Sequence, residues 1–177
     1  RPGAGLAVGD AWDRLYTPHR LAYLQGEGKP ATGESGDECP FCRAPGLPEA
    51  EGLVVARGTV AYVVLNLYPY NAGHLLVCPY RHVADYTELT DAEVAEIGAL
   101  TQQAMRVVRH VSGAHGFNIG MNQGAVSGAG IAGHLHQHVV PRWGGDSNFM
   151  PIIAGTKVIP QLLAETRDLL AQAWERC

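Results

Sequence analysis

Three histidines alternate with other residues in GHLHQHVV, residues 133–140, and they are the side chains best suited to chemistry. Because side chains of an extended strand point alternately to its two faces, His134, His136 and His138 are predicted to share one face, with Gln137 on the other. Imidazoles on one face can ligate a metal, attack an electrophile or line an exposed edge strand. These three alternatives make different demands on the rest of the chain.

A catalytic metal centre made from all three histidines would need a further ligand, often a later carboxylate or histidine. All eight histidines lie at or before residue 138, no Glu lies between Glu96 and Glu165, and Asp146 is the only acid close behind the triad. The apolar context of the triad also weakens the exposed-strand alternative. Both alternatives therefore rank below nucleophilic chemistry.

Nucleophilic attack on phosphorus agrees better with the pattern. It needs a neutral imidazole with one free nitrogen, a carbonyl that holds the other nitrogen, and donors around the phosphate. NQGAVSGAGIAG, residues 122–133, directly precedes the triad, and its glycines let backbone N–H groups approach a ligand closely. The sequence favours a nucleophilic histidine that acts on a phosphorylated ligand.

Length and charge restrict the class of protein. The chain has 177 residues, 46% of them hydrophobic, which suits one domain with a sizeable core, and its net charge of -4 argues against a broad nucleic-acid surface. No stretch approaches the roughly 20 apolar residues of a membrane helix, and the start lacks a signal-peptide layout. We expect a cytoplasmic protein with an N-terminal arm and flexible linker over residues 1–38 and a single catalytic domain over residues 39–177.

Two helices are predicted from capping and periodicity. Thr90 and Glu93 form a capping box that begins a helix ending at Gly113. Its apolar face is predicted to contain Val94, Ile97, Ala104, Val108 and Val111. Pro160 is predicted to open a C-terminal helix. The residues predicted on or near its buried stripe are Leu162, Leu163, Thr166, Leu169, Leu170 and Trp174.

Four strands are predicted from runs of β-branched and alternating residues: TVAYVVL (59–65), HLLVCP (74–79), GFNIGMN (116–122) and HLHQHVV (134–140). Strands that follow one another closely, with one long helix inserted, indicate an α+β fold with an antiparallel sheet.

Four motifs, in order along nearly the whole chain, resemble the histidine triad (HIT) family of nucleotide hydrolases and transferases. HLHQHVV fits the HxHxHxx signature, and LNLYPYNAGHLLVCPYRHV (65–83) is similar to the strand-loop-strand segment of the family, with Asn66 and the Gly73-His74 pair in place. MNQG (121–124) resembles its ribose- and phosphate-facing turn. PRWGGDSNFMP and the early DRLYTPHRLAYL are similar to the branch that includes bacterial diadenosine tetraphosphate phosphorylases.

The resemblance implies a role for each histidine. His136 would attack the α-phosphorus and carry a covalent nucleotidyl group, His138 would contact the phosphate and the leaving oxygen, and His134 would orient its neighbours or bind metal. The remaining implied nucleotide-binding residues are Asn66, Leu67, Tyr68, Asn122, Gly124, Gly130, Ile131 and Ala132. For the two asparagines, the alternative is ordinary turn chemistry, in which Asn bonds its own backbone.

CPFC is the second group of residues that could do chemistry. By the resemblance, Cys39, Cys42, His82 and His134 match a structural zinc site of some family members, and two thiolates with two imidazoles suit tetrahedral zinc. The alternative is a pair of small core cysteines beside an unmetallated histidine. The candidate cofactor at this site is a structural zinc. A divalent cation that accompanies a polyphosphate substrate is a second, separate candidate.

The chain departs from the family pattern at two places. Gly130, Ile131 and Ala132 stand where the family commonly has Gln and then Ser or Thr, so Ser127 is the candidate for the missing hydroxyl donor. Gln137 stands where the pattern prefers an apolar residue, and it should need a polar partner if buried.

Trp143 is a candidate to stack on an adenine or a subunit neighbour, with core packing as the alternative.

The branch resemblance implies phosphorolysis of diadenosine tetraphosphate to ADP and ATP, with a dinucleoside polyphosphate and inorganic phosphate as partners. A hydrolase of dinucleoside polyphosphates or nucleoside phosphoramidates is the first alternative, and a nucleotide-binding or sensing module is the second. The resemblance also implies a homodimer or higher homo-oligomer.

Overall fold

The computed structural model describes residues 39–146 and 162–177. The predicted N-terminal arm and linker, residues 1–38, lie outside the described residues, and so does Pro160, the predicted start of the C-terminal helix.

An antiparallel sheet of five strands forms the centre of the fold, in the spatial order β1-β2-β3-β5-β4. The strands are β1 (Val54–Arg57), β2 (Ala61–Leu65), β3 (Leu75–Pro79), β4 (Gly116–Met121) and β5 (Gln137–Arg142). The predicted antiparallel α+β fold is confirmed. Strand β1 is not among the predicted strands, and the place of its four residues is set by pairing with β2.

The triad strand begins later than predicted, at Gln137 rather than at His134. The ladder between β3 and β5 starts where Val77 pairs with Gln137. Before that point the backbone N–H of Leu135 donates to the carbonyl of Val83 at 2.7 Å instead of joining the sheet. His134 and His136 therefore lie on the segment that leads into β5 rather than on the strand itself.

The long helix, α3 (Asp91–Ser112), covers one face of the sheet. The predicted capping box of Thr90 and Glu93 is present, and Gly113 ends the helix with a φ of 62°, a left-handed conformation that favours glycine. Val94 was predicted on the buried face but is 38% exposed. Its neighbour Glu93 turns inward there, because its carboxylate accepts hydrogen bonds from both Arg81 and the Thr90 backbone.

The C-terminal helix, α4 (Leu163–Trp174), packs against α3 and β1. Thr166, Leu170 and Ala173 form its buried face. Leu162 and Leu169, predicted on or near the buried stripe, are 69% and 43% exposed and so lie outside its buried part. Leu162 is the N-cap residue with extended backbone, so it lies outside the helical repeat.

Two short helices, α1 (Pro40–Arg43) and α2 (Glu49–Gly52), lead into the first strand. Cys39 is the N-cap residue of α1 and Cys42 lies within it, so this helical turn sets the spacing of the two cysteines. Among the helices of residues 39–146 and 162–177, none has the length and apolar character needed to cross a membrane.

Candidate active site and metal centre

His136 is held as a neutral imidazole with one nitrogen available. Its side chain is buried, and its Nδ1–H donates to the backbone carbonyl of His134 at 2.8 Å. Burial lowers the pKa of His136, since it disfavours the charged ring. The lone pair is thus on Nε2, as the predicted nucleophile requires.

His138 takes the opposite tautomer because of His74. The backbone N–H of Tyr70 donates to His74 Nδ1 at 3.0 Å, so the proton of His74 is on Nε2. That Nε2–H donates to His138 Nδ1 at 2.9 Å, which leaves the proton of His138 on its own Nε2. Burial and the neighbouring His136 lower the pKa of His138 to about 4, so the ring is neutral near pH 7.

The Nε2–H of His138 has no hydrogen-bond partner among residues 39–146 and 162–177. Among the described buried side-chain nitrogens and oxygens it is the one that lacks a hydrogen bond. The His138 ring lies 5.0 Å from the His136 ring, measured between centroids, at an interplanar angle of 68°. Because buried donors are nearly always satisfied in native proteins, a donor left open beside a free nucleophile suits a ligand oxygen.

His74 is a site residue that the sequence predictions left out. The Gly73-His74 pair is part of the family resemblance, but the sequence predicts no role for its histidine. The sequence feature that points to His74 is a single histidine at the start of an apolar run, NAGHLLV. In the structure its ring is fully buried, and a buried imidazole needs hydrogen-bond partners at both nitrogens.

Asn66 lies at the start of the loop that carries Tyr70. Its Oδ1 accepts from the backbone N–H of Tyr68 at 3.0 Å, which is the turn chemistry considered as its alternative role. Its Nδ2 also lies 3.2 Å from His74 Nδ1, so Asn66 contacts the histidine network as well. Leu67 and Tyr68 are 57% and 66% exposed, which leaves both side chains accessible to a ligand.

The glycine-rich loop before the triad contains the other predicted nucleotide contacts. Gly124 has a φ of 79°, and the Ser127 hydroxyl donates to the Gly124 carbonyl at 2.7 Å. Ile131 is buried, while Asn122, Gly130 and Ala132 are half-buried. Within the described residues, no hydrogen bond joins Asn122 or Ser127 to a triad histidine.

Trp143 lies against the helices rather than in contact with the triad. Its indole N–H donates to the carbonyl of Ser112, the last residue of α3, at 3.0 Å. The ring lines an apolar cavity that Val108 and Leu169 also line. This placement agrees with the core-packing alternative.

The four residues predicted to bind metal come together. Nδ1 of His134 lies 3.4 Å from the sulfur of Cys39 and 3.4 Å from that of Cys42, and Nδ1 of His82 lies 3.3 Å from the Cys42 sulfur. All four ligand atoms are within 4.8 Å of one another. In tetrahedral zinc, sulfur and nitrogen ligands stand about 3.5 Å apart, so this cluster can hold zinc.

The second nitrogen of His134 is fixed in the way expected of a metal ligand. Its Nε2–H donates to the carbonyl of Pro79 at 2.9 Å, which directs the lone pair of Nδ1 toward the two cysteines. The four described cysteines form no disulfide, so the two sulfurs of the motif are available as ligands.

Gln137 is half-buried and has a polar partner of its own. Its Nε2–H donates to the hydroxyl of Thr101 on α3 at 2.6 Å, and that hydroxyl donates to the Ile97 carbonyl at 2.7 Å. Gln137 thus points toward the helix, while His136 and His138 contact each other on the other side. The prediction that Gln137 needs a partner of its own is confirmed.

The chain belongs to the HIT family. The family model described as "HIT domain" matches residues 48–145. A Mycobacterium tuberculosis protein named AP-4-A phosphorylase is 54% identical over 174 residues, which cover 97% of this chain and 89% of that protein.

Solved structures agree with the family assignment. A Zn-bound histidine triad family protein from Mycobacterium smegmatis superposes with a TM-score of 0.64 at 27% identity, covering 80% of this chain and 96% of that one. A protein from Sulfolobus tokodaii described as a hypothetical histidine triad nucleotide-binding protein gives a TM-score of 0.63 at 25% identity, covering 78% of this chain and 93% of that one.

Proposed function

We propose that this protein is a nucleotidyltransferase that cleaves diadenosine tetraphosphate by phosphorolysis, giving ADP and ATP, through a nucleotidyl group held on His136. The observation that carries the proposal is the pair of opposite tautomers, with a free Nε2 on His136 and an open Nε2–H on His138. The high identity to the AP-4-A phosphorylase from Mycobacterium tuberculosis supports this substrate.

In the first step, Nε2 of His136 attacks the α-phosphorus, a bond to AMP forms, and the bond from that phosphorus to the bridging oxygen breaks. ATP leaves with the bonding electrons. The Nδ1–H of His136 stays on the ring and donates to the His134 carbonyl, which stabilises the positive charge that the ring acquires. His138 would donate its Nε2–H to the phosphate or to the leaving oxygen.

In the second step, an oxygen of inorganic phosphate attacks the same phosphorus, the P–N bond breaks and ADP leaves. His136 recovers the lone pair on Nε2 and is again neutral. If water takes the place of phosphate, the product is AMP, and the enzyme is a hydrolase. The two reactions share the intermediate and differ only in the acceptor.

For the nucleotide, we propose contacts on both sides of the histidines. Asn66, Leu67 and Tyr68 would face one nucleoside, since the last two are exposed beside the His74 network. Backbone N–H groups of the glycine-rich loop, together with Asn122, would bind the phosphates. A divalent cation would accompany the polyphosphate and reduce its charge.

Product analysis tests the reaction class. The protein is incubated with diadenosine tetraphosphate with and without inorganic phosphate, and the nucleotides are separated by chromatography. We expect ADP and ATP in equal amounts with phosphate and little turnover without it. ATP plus AMP under both conditions would instead identify the hydrolase alternative, and no turnover under either would favour a nucleotide-binding or sensing module.

We further propose that the protein is a homo-oligomer that works in the cytoplasm. Strand β4 lies at the edge of the sheet, and Ile119 on it is 47% exposed, so a second copy could cover this edge. Reduced cysteines in the metal cluster suit a reducing compartment. Sedimentation of the wild type and of Ile119→Lys tests the oligomer, since a dimer through β4 should dissociate in the variant.

A further inference from the structure

Phe41 lies between the two cysteines of the metal cluster and contacts the candidate nucleophile. The centroid of its ring is 4.8 Å from that of His136, at an interplanar angle of 42°. It is also 5.6 Å from the His134 ring, in an edge-on arrangement. One side chain thus links the metal cluster to the reacting imidazole.

The backbone at Phe41 is held firmly. Its carbonyl accepts a hydrogen bond of 2.6 Å from the hydroxyl of Tyr62, a fully buried residue of β2 whose ring stacks on Tyr80. The carbonyl of Cys39 accepts from the N–H of Cys42 at 3.1 Å, which closes the turn around Phe41. With both cysteines bound to one metal ion, this turn would have little freedom to move the ring.

His136 needs such support because its hydrogen bond fixes only one edge of the ring. A single hydrogen bond from Nδ1 to the His134 carbonyl does not by itself fix the tilt of the imidazole, so packing against the ring must do so. Phe41 packs against the ring, and His138 lies 5.0 Å from it in an edge-on arrangement. An attacking group must stay within about 10–20° of its productive orientation, so the packing of this ring matters for the rate.

We propose that Phe41 is a positioning residue for His136, and that metal bound by the Cys39 and Cys42 cluster acts on the reaction through it. This inference rests on the proposed nucleophilic role of His136. It predicts that Phe41 affects the rate of nucleotidyl transfer to the histidine and leaves the affinity for the nucleotide unchanged.

The test compares Phe41→Ala, Phe41→Leu and the ring-retaining Phe41→Tyr with Arg43→Ala, an exposed residue of the same helix. Diadenosine tetraphosphate is mixed with excess protein, and the single-turnover rate of nucleotidyl-histidine formation is measured by chemical quench and mass spectrometry. AMP affinity is measured by calorimetry, and Tm and zinc content are recorded for each variant.

We expect the transfer rate to fall about 10- to 100-fold in Phe41→Ala, because small misplacements of a reacting group can cost this much. Phe41→Leu should be intermediate, Phe41→Tyr should recover most of the rate, and AMP affinity should stay within about twofold throughout. Equal rates in Phe41→Leu and the wild type would overturn the proposal. So would a loss of AMP affinity that matches the loss of rate, since Phe41 would then be a binding residue.

Metal removal tests whether bound metal acts on the reaction through Phe41, apart from whether Phe41 positions His136. Removal of the cluster metal with a chelator, followed by dialysis and return of Mg²⁺ for the polyphosphate, should slow transfer in the wild type. The effect should be much smaller in Phe41→Ala, which lacks the ring between the metal cluster and His136. An equal effect in both would show that the metal does not act through Phe41. If the proposed nucleotidyltransferase function is wrong, the wild-type protein forms no nucleotidyl-histidine at all, which distinguishes that outcome from a failure of the Phe41 proposal.

Discussion

His134 and His136 are two residues apart and both buried, yet the structure uses their rings in opposite ways. His134 donates from Nε2 to the Pro79 carbonyl, and its Nδ1 faces the cysteines. His136 donates from Nδ1 to the His134 carbonyl, and its Nε2 remains available. The chemistry of each ring is therefore decided by which nitrogen a carbonyl oxygen engages, and one end of the triad suits metal while the other suits phosphate.

Removing the nucleophile should have the largest effect on the phosphate end. His136→Ala should lower kcat by about 10⁴-fold or more, as for other nucleophile deletions, because Nε2 carries the proton in both His134 and His138 and neither can replace the lost nitrogen. Nucleotide affinity should be retained, and calorimetry with AMP checks this. His115→Ala, at an exposed histidine, is the matched control and should be active. Turnover near the wild-type rate in His136→Ala would contradict the covalent mechanism.

Removing the residue that sets the tautomer of His138 should have the next largest effect. His74→Ala should lower kcat by about 100-fold. Without the His74 donor at Nδ1 of His138, the His138 proton can move from Nε2 to Nδ1, and the donor toward the phosphate is lost. His74→Gln, which keeps an N–H donor, should recover part of the loss. If both variants keep wild-type kcat in steady-state assays, the tautomer assignment is wrong.

At the metal end, the main effect should be on stability. Purified protein should contain about one zinc per chain by elemental analysis. Cys42→Ser should lose it and become less stable by about 3 kcal/mol, which corresponds to roughly 6–12 °C in Tm for a chain of this size. Cys177→Ser, at the exposed terminal cysteine, is the control. A metal-free wild type with the same Tm as the loaded protein would contradict a structural site.

Acidification should destabilise the fold through the triad. The pKa of His138 is lowered to about 4 in the folded chain, so below about pH 6.5 the unfolded chain binds more protons and the free energy of unfolding falls. The Tm should therefore drop between pH 7 and pH 5. His138→Asn should show a weaker pH dependence, and identical slopes in variant and wild type would show that His138 does not contribute.

The smallest effect is expected on the face opposite the histidines. Gln137→Leu removes the bond to Thr101 and should destabilise the protein by about 1 kcal/mol, because the Thr101 hydroxyl keeps its bond to the Ile97 carbonyl. Activity should stay within about threefold. Urea unfolding checks the stability, and in Gln137→Leu/Thr101→Val the loss should be largely recovered. A large loss of kcat in the single variant would show that Gln137 also positions the triad.

Local signals in the sequence predicted the parts of the fold that local interactions determine. The capping box at Thr90 and the glycine at residue 113 define both ends of α3, because each acts within one helical turn. Strand β1 depends on pairing with β2, and its four residues carry no pattern of their own. The late start of β5 depends on the Val83 carbonyl, which is distant in sequence from Leu135.

Some residues of the candidate site were likewise predicted from the sequence, whereas others depend on contacts that form only in the folded chain. The ligands Cys39, Cys42, His82 and His134 were predicted as a set through the resemblance, and the structure brings them together. His74 was overlooked because its role requires a ring on β5 that lies beside it only after the sheet has formed. The contact of Phe41 with His136 likewise joins residues far apart in sequence, and no spacing rule connects them.

The site of covalent attachment tests the central claim most directly. The protein is mixed with diadenosine tetraphosphate in the absence of phosphate, quenched, digested and mapped by mass spectrometry. The tautomers predict one AMP group, bound to His136 through Nε2, which disappears when inorganic phosphate is added and ADP is released. An AMP group on His138 or His134, or turnover with no adduct on any histidine, would contradict the division of roles within the triad.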